Sequence, residues 1–204
     1  MPKPGVSAKG AARREEIFAT AFRVVAERGF PGATIRGIGR ELGIEPAHIL
    51  YYFGSREELF KEILEEWDAG SLSTARPDAD ALEVYVSAIR HNVAIRGLVH
   101  LYLSFAAEAV DPAHPAHDYF RDRFALSVRE LSAAVESGLR AGLIRPEVEA
   151  NRAARSIIAL ADGLQLQALM DPDVDAATLL SAAVDDLFLT RNRTDVGRPA
   201  NLEP

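Results

Sequence analysis

The sequence contains no cysteine. That removes disulfides, thiolate nucleophiles and cysteine-based metal sites, and it fits a cytoplasmic protein. No apolar run approaches the ~18 residues of a membrane-spanning helix. The opening MPKPGVSAKGAARREE also lacks the apolar stretch of a secretory leader, so no membrane partner is expected. Glycine-rich phosphate loops and carboxylates clustered at metal spacing are missing too. Catalytic residues, metal ligands and cofactors are therefore all expected to be none, and the protein is not expected to be an enzyme. His114-x-x-His117-Asp118 has some look of a metal site. It lies in a proline-broken connection without a companion ligand pair, so a surface loop or helix cap is its expected role. Strand-like alternation is absent over any useful length, and there is no internal repeat.

What remains is helical pattern and charge. Apolar residues make up 48% and charged residues 26% of the 204, which suits a globular chain with ample core. The net charge of −7 would argue against nucleic acid if spread evenly. It is not spread evenly. Residues 1–56 carry nine Lys/Arg against five Asp/Glu, whereas residues 57–204 carry fourteen against twenty-five. Local sign decides where a polyanion docks, and the amino-terminal end is the cationic one. Lys3, Lys9, Arg13 and Arg14 stand at its start, either as phosphate contacts or as a solvated tail.

The stretch Thr34–Phe60 organises the rest. Ile35, Ile38 and Leu42 recur at 3/4 spacing on one helix stripe. Thr34 stands at the N-cap, and Gly43 ends the helix where a left-handed residue is needed. Glu45-Pro46 starts a second helix, with Pro46 in the first turn. Ile49, Tyr52 and Phe53 share one side of it, leaving Ala47, His48 and Tyr51 outward. Ser55-x-x-Glu58 then caps a third helix carrying Leu59, Phe60, Ile63, Leu64 and Trp67. Two short helices around a glycine turn are the helix-turn-helix pattern.

Gly29-Phe30, Ala33-Thr34-Ile35, Ile38, Leu42-Gly43-Ile44 and Tyr51-Tyr52-Phe53-Gly54-Ser55-Arg56-Glu57-Glu58-Leu59 together resemble the DNA-binding domain of TetR-family bacterial regulators. The resemblance is closest over residues 13–67. Ala107-Glu108-Ala109, His114 to Phe120 and Asp162 to Gln167 with Asp171-Pro172 resemble the ligand-binding and dimerisation body of that family. The fold so implied is all-α. A three-helix head over residues 1–54 (1–10 flexible) joins a helical body over 55–190, and a flexible tail covers 191–204, with about nine helices in all. The first helix is read over Ala11–Arg28 and the connecting helix over Ser55–Asp68. Later helices are read at about 78–95, 98–109, 116–141, 147–170 and 174–189. Breaks are read at Ala69–Pro77, Gly97, Asp111-Pro112, Gly142 and Asp171-Pro172.

In a helix-turn-helix the first residues of the second helix meet base edges. Glu45, Pro46, Ala47 and His48 are those residues. The resemblance adds Tyr51, Tyr52 and Arg56 as phosphate contacts, although Tyr52 shares a face with Ile49 and Phe53 and is equally a core candidate. Thr34 and Arg36, at the start of the preceding helix, complete the set. The family commonly has tyrosine where this chain has Leu50, which removes one expected contact. Gly37 and Gly39 are unusual in so short a helix; close packing is expected at Gly39. One head covers one half-site, so a homodimer on a near-palindromic double-stranded operator is expected.

Two apolar stripes in the body suit either the four-helix dimer interface that the resemblance implies or the closing of the chain's own core. They are Ile157, Ile158, Ala161, Leu164 and Ala168, with Leu169, and Leu180, Ala183 and Leu187, with Leu179 and Phe188. Trp67, Tyr85, His91, His100, Tyr102, Phe105, Phe120 and Phe124 are candidates for a pocket holding an unknown small-molecule effector, or for plain helical core. The expected function is a transcriptional repressor released from DNA by that effector. The alternatives are a regulator without a ligand and, more remotely, a helical metal-binding protein or enzyme.

Overall fold

The computed structural model describes residues 8–72, 76 and 78–189. Over these the chain is all-α: nine helices and one 3₁₀ turn. The head comprises α1 (Ala8–Arg28), the 3₁₀ turn (Phe30–Gly32), α2 (Ile35–Leu42) and α3 (Pro46–Phe53). It leads into α4 (Arg56–Leu72). The body continues with α5 (Ala81–Val93), α6 (Arg96–Glu108), α7 (His117–Arg140), α8 (Ala150–Met170) and α9 (Ala176–Asp185). No described helix is long and apolar enough to cross a membrane.

The expected caps form. Thr34 accepts from the Gly37 N–H at 2.9 Å, and Ser55 accepts from the Glu58 N–H at 3.0 Å. The return half of the Ser55 box is diverted, because the Glu58 carboxylate pairs with Lys61 at 2.7 Å. Gly43 adopts φ 65°, ψ 34°, a left-handed turn that a Cβ would penalise. At Gly39 a Cβ would lie 2.7 Å from the Ile44 carbonyl, so the α2–α3 turn packs directly on the glycine. Gly37 is tight for a different reason: a Cβ there would crowd the capping oxygen of Thr34 at 3.1 Å.

Three boundaries differ from the sequence expectation. Residues 8–10 form the first turn of α1 rather than a flexible arm; residues 1–7 and 190–204 lie outside the described residues. The connecting helix runs through Ala69, Gly70 and Ser71, where a break was expected. The single Ser71 hydroxyl proton lies within reach of the Trp67 carbonyl (2.9 Å) and of Asn92 Oδ1 (2.6 Å), so contact with α5 holds this turn helical. Gly97 does not break a helix either; it is buried in the first turn of α6. A Cβ there would fall 2.0 Å from the Val25 carbonyl and 2.8 Å from that of Ala26. Glycine is needed because α6 meets the backbone of α1.

Two apolar cores result. One joins Ile17, Ala21, Val25, Ile38, Ile49 and Phe53 of the head to Leu59, Phe60 and Trp67 of α4 and to Leu98, Tyr102 and Phe105 of α6. Packing is therefore continuous across the head–body junction. The other lies among α5, α7, α8 and α9, around Val86, Leu131, Ile158 and Leu180. Among the described residues one antiparallel bridge, Ile144 to Phe188, ties the α7–α8 connection to the segment that follows α9.

Candidate nucleic-acid interface and effector site

The recognition helix α3 is divided cleanly. Ile49 and Phe53 are buried, whereas Ala47 and His48 are exposed and Tyr51 is 81% exposed. Glu45 is the N-cap residue, yet its side chain makes no cap hydrogen bond, and it too is exposed. His48 stacks on Tyr52 with centroids 5.5 Å apart and planes 19° apart, and Tyr51 meets Tyr52 edge-on at 5.3 Å. Tyr52 is half-buried against the core, as one of its two candidate roles requires, and its ring contacts both exposed neighbours. Thr34 and Arg36 are exposed at the start of α2, and Leu50 is 38% exposed.

Two cations read as phosphate contacts are engaged inside the protein. The Arg56 guanidinium lies over Phe30 and Phe60, 4.9 Å from each centroid, and its nearest carboxylate, Glu57, is 3.7 Å away. Arg14 sits 4.5 Å over Phe53 and bonds Glu62 at 2.5–2.6 Å. The α1–α2 contact is fastened by Glu41, which accepts from Arg28 at 2.7 Å and Arg23 at 3.2 Å.

The aromatic residues named from the body separate into three places. Phe105 and His100 sit at the head–body junction, both edge-on to Phe30 at 5.6 and 6.1 Å. His91 is half-buried on α5. Trp67, Tyr102, Phe120 and Phe124 form a chain of ring contacts with centroids 5.7–6.4 Å apart. Tyr85 is half-buried and close enough to feel Asp162 and Arg123.

Around this chain stands a polar network that the sequence reading did not find. Arg123 of α7 donates to both carboxylate oxygens of Asp68 on α4, at 2.7 and 3.1 Å. Tyr119 donates to Asp68 at 2.6 Å, and Tyr102 donates to Asp162 of α8 at 2.9 Å. Arg123 Nη1 reaches the Tyr102 oxygen at 3.2 Å, with the guanidinium carbon 4.7 Å above the ring. Burial pushes the Tyr102 and Tyr119 phenols far upward, so both remain protonated donors. Burial also raises Asp162, against the opposing effects of the Tyr102 hydrogen bond and Arg123. The Trp67 indole N–H is buried without a hydrogen-bond partner among the described residues. A signal for the network existed: Arg123 falls on the Phe120/Phe124 stripe of α7 and Asp162 follows Ala161 on α8. Charged residues at such positions read as solvated unless the opposing helix is known.

The eight residues named for a dimer interface fare unevenly. Ile157, Ile158, Ala161, Leu164 and Leu180 are only 0–6% exposed because they fill the chain's own second core. They have almost no area left for a partner. Ala168 and Leu187 are half-buried against the same core, and Ala183 is half-buried. The face turned outward is the neighbouring one. It carries Leu160 (37% exposed), Leu166 (45%) and Met170 (76%) on α8, and Leu179 (50%) on α9. A cavity of about 270 Å³ opens beside it, lined by Arg145, Arg152, Ser156, Leu160, Ala183 and Leu187 among others. His114 and His117 secure the turn before α7: the first accepts from the Ala116 N–H at 3.1 Å and the second meets the Ala109 carbonyl at 2.8 Å. No cluster of potential metal ligands occurs among the described residues.

Residues 17–63 match the family described as bacterial regulatory proteins, tetR family. Residues 72–189 match the C-terminal part of BetI-type transcriptional repressors. Among curated relatives, the BetI regulator of Rhizobium meliloti is 28% identical over 177 residues, spanning 82% of this chain and 81% of that one. The PksA regulator of Bacillus subtilis is 24% identical over 168 residues, spanning 78% and 80%. Among solved structures, a regulator from Saccharomonospora viridis in complex with choline superposes with TM-score 0.72 at 24% identity, covering 89% of this chain and all of that one. A TetR regulator from Haloarcula marismortui superposes with TM-score 0.69 at 22% identity, covering 88% and 100%. The match over 72–189 alone exceeds half of the 204 residues, and the chain belongs to the TetR family of DNA-binding transcriptional regulators, with a BetI-type body, and is not an enzyme.

Proposed function

We propose that the chain is a cytoplasmic repressor that grips a near-palindromic operator as a homodimer and releases it when a small organic cation enters the body. The observation that carries the reading is the division of α3, with Ile49 and Phe53 rooted in the core and Ala47, His48 and Tyr51 exposed, the last two against the Tyr52 ring. A helix held this way can lay Glu45, Pro46, Ala47 and His48 against base edges in a major groove. Glu45 suits a cytosine amino group and Ala47 a thymine methyl. Thr34, Arg36, Tyr51 and Tyr52 then serve the backbone, and Arg56 adds its charge at the start of α4 from its seat on Phe30 and Phe60.

The reading head ends near residue 54, and the body, over 55–190, holds two such heads. The surface best suited to pairing is the exposed stripe Leu160, Leu166 and Met170 with Leu179, continuous with α8 and α9. Gly163 lies along it with nothing within 4 Å of where a Cβ would be, so a partner helix can approach closely. For the effector, the rings of Trp67, Tyr85, Tyr102 and Phe124 beside Asp68 and Asp162 offer what a quaternary ammonium ion needs: aromatic faces and a nearby negative charge. The choline bound by the Saccharomonospora viridis relative supports that chemical class. A ligand acts by favouring one of two shapes. Here α4 carries the head at one end and Asp68 at the other, so a change at Asp68 moves the head.

Selection of bound duplexes from random DNA, followed by titration with choline, tests the proposal. The expected result is a twofold-symmetric consensus whose binding weakens as choline is added. Asymmetric or unenriched sequences would refute the operator reading, and an affinity indifferent to choline would refute the effector reading.

A further inference from the structure

The aromatic site already contains a cation of its own. Arg123 lies 4.7 Å over the Tyr102 ring, within the ~6 Å at which a cation is drawn to an aromatic face. Its two-pronged bond to Asp68 supplies the counter-charge. Two further observations mark the arrangement as incomplete. The site gathers two carboxylates, Asp68 and Asp162, around this one guanidinium, and Asp162 receives its hydrogen bond from a neutral phenol. The Trp67 indole N–H, on a residue only 3% exposed, has no acceptor among the described residues, and an oxygen on an incoming molecule would supply one. The Arg123 side chain itself keeps 18% of its surface in water, so its way out of the site is short.

We infer that Arg123 is a resident competitor: it occupies the place over Tyr102 that an organic cation would take, and the effector acts by displacing it and so untying α4 from α7. This rests on the organic-cation reading above and adds how binding becomes release. The effector takes over the Tyr102 face and the Asp68 and Asp162 charges. Arg123 swings to solvent, and α4 loses its bidentate tie to the body. A quaternary ammonium carries no N–H with which to rebuild that tie, so α4, and the head attached to it, stays loose while the ligand is bound.

The test uses the full chain, choline chloride and a duplex recovered by selection, with Arg123→Met and Arg123→Lys beside the parent. If Arg123 fills the site nine-tenths of the time, Arg123→Met binds choline about tenfold more tightly, since self-occupancy divides the apparent affinity by the free fraction. The same variant, with no choline present, should bind the duplex about tenfold more weakly, because its tie is already cut. Arg123→Lys, whose ammonium cannot make the two-pronged pair, should shift both affinities the same way by a smaller factor. Choline binding by the parent that is unchanged or lost in Arg123→Met overturns the inference and leaves the cation reading standing. Failure of parent and variants alike to bind choline removes that reading and the inference together. Should Arg123→Met not fold, Arg123→Lys decides alone: parent-like affinities alongside a parent-like melt overturn the competitor.

Discussion

At the scale of single residues, the role proposed for Asp162 in holding a cation runs against stability. Burial raises its carboxyl above the ordinary aspartate value, so the folded protein holds that proton to higher pH than the unfolded chain does. Stability from this group is therefore greatest in acid and declines as pH rises through the raised pKa. Asp162→Asn removes a disfavoured charge and can still accept from Tyr102. It is expected to raise the melting temperature at neutral pH and to weaken choline binding at least tenfold, read by thermal melts and calorimetry together. In the parent, choline binding should weaken as pH falls and Asp162 takes up its proton. On the head, His48→Ala should change which sequences are preferred, by about 1–3 kcal/mol at the bases it faces. Arg36→Ala should instead weaken all duplexes alike and flatten the salt dependence by about one unit of slope. The sequence made the rings Trp67, Tyr102, Phe120 and Phe124 visible because apolar periodicity exposes them. It hid Asp68, Arg123 and Asp162 because periodicity treats a charge as solvent-facing, and only the packing of α4, α7 and α8 brings the three together.

At the scale of helices, a glycine has two meanings that one sequence does not separate. Gly97 reads as a stop but is a point of contact, where α6 touches the α1 carbonyls of Val25 and Ala26. Its neighbour Arg96 donates to the Ala168 and Leu169 carbonyls at the end of α8, at 2.6 and 2.5 Å. The first turn of α6 thus touches the head on one side and the end of α8 on the other. Gly97→Ala must push α1 away. Overpacking of this kind costs roughly 1–3 kcal/mol, so a melting point lowered by several degrees and an altered operator affinity in the same variant are expected. Ala69–Ser71 shows the same error, in which small residues suggest a break and contact with Asn92 keeps the helix going. The stripes of α8 and α9 were legible as apolar, but apolarity does not say which face the chain covers for itself. Leu160→Arg with Leu179→Arg should give a monomer by sedimentation with helicity retained, because both side chains are exposed in the single chain. Ile157→Arg should unfold it instead, since Ile157 is core.

Over the whole molecule, charge and topology agree. The cationic surplus lies within the first 56 residues and the acidic excess in the remainder, so the body repels the polyanion that the head attracts and helps to orient the approach. The all-α architecture and the helix-turn-helix were readable because caps at Thr34, Gly43 and Ser55 coincide with shifts in apolar spacing. Less readable was that the head shares its core with α4 and α6, since contacts between distant segments leave no local trace. That shared core gives the proposed event at Asp68 a route to α3. The central claim is sequence-specific DNA binding by paired heads. Its most direct test compares, at one fixed salt concentration, the affinity for a selected duplex with that for a random duplex of equal length. Preference for the selected duplex by about 10³-fold or more, with two chains bound per duplex, is the predicted result. Equal affinity for both duplexes would contradict it.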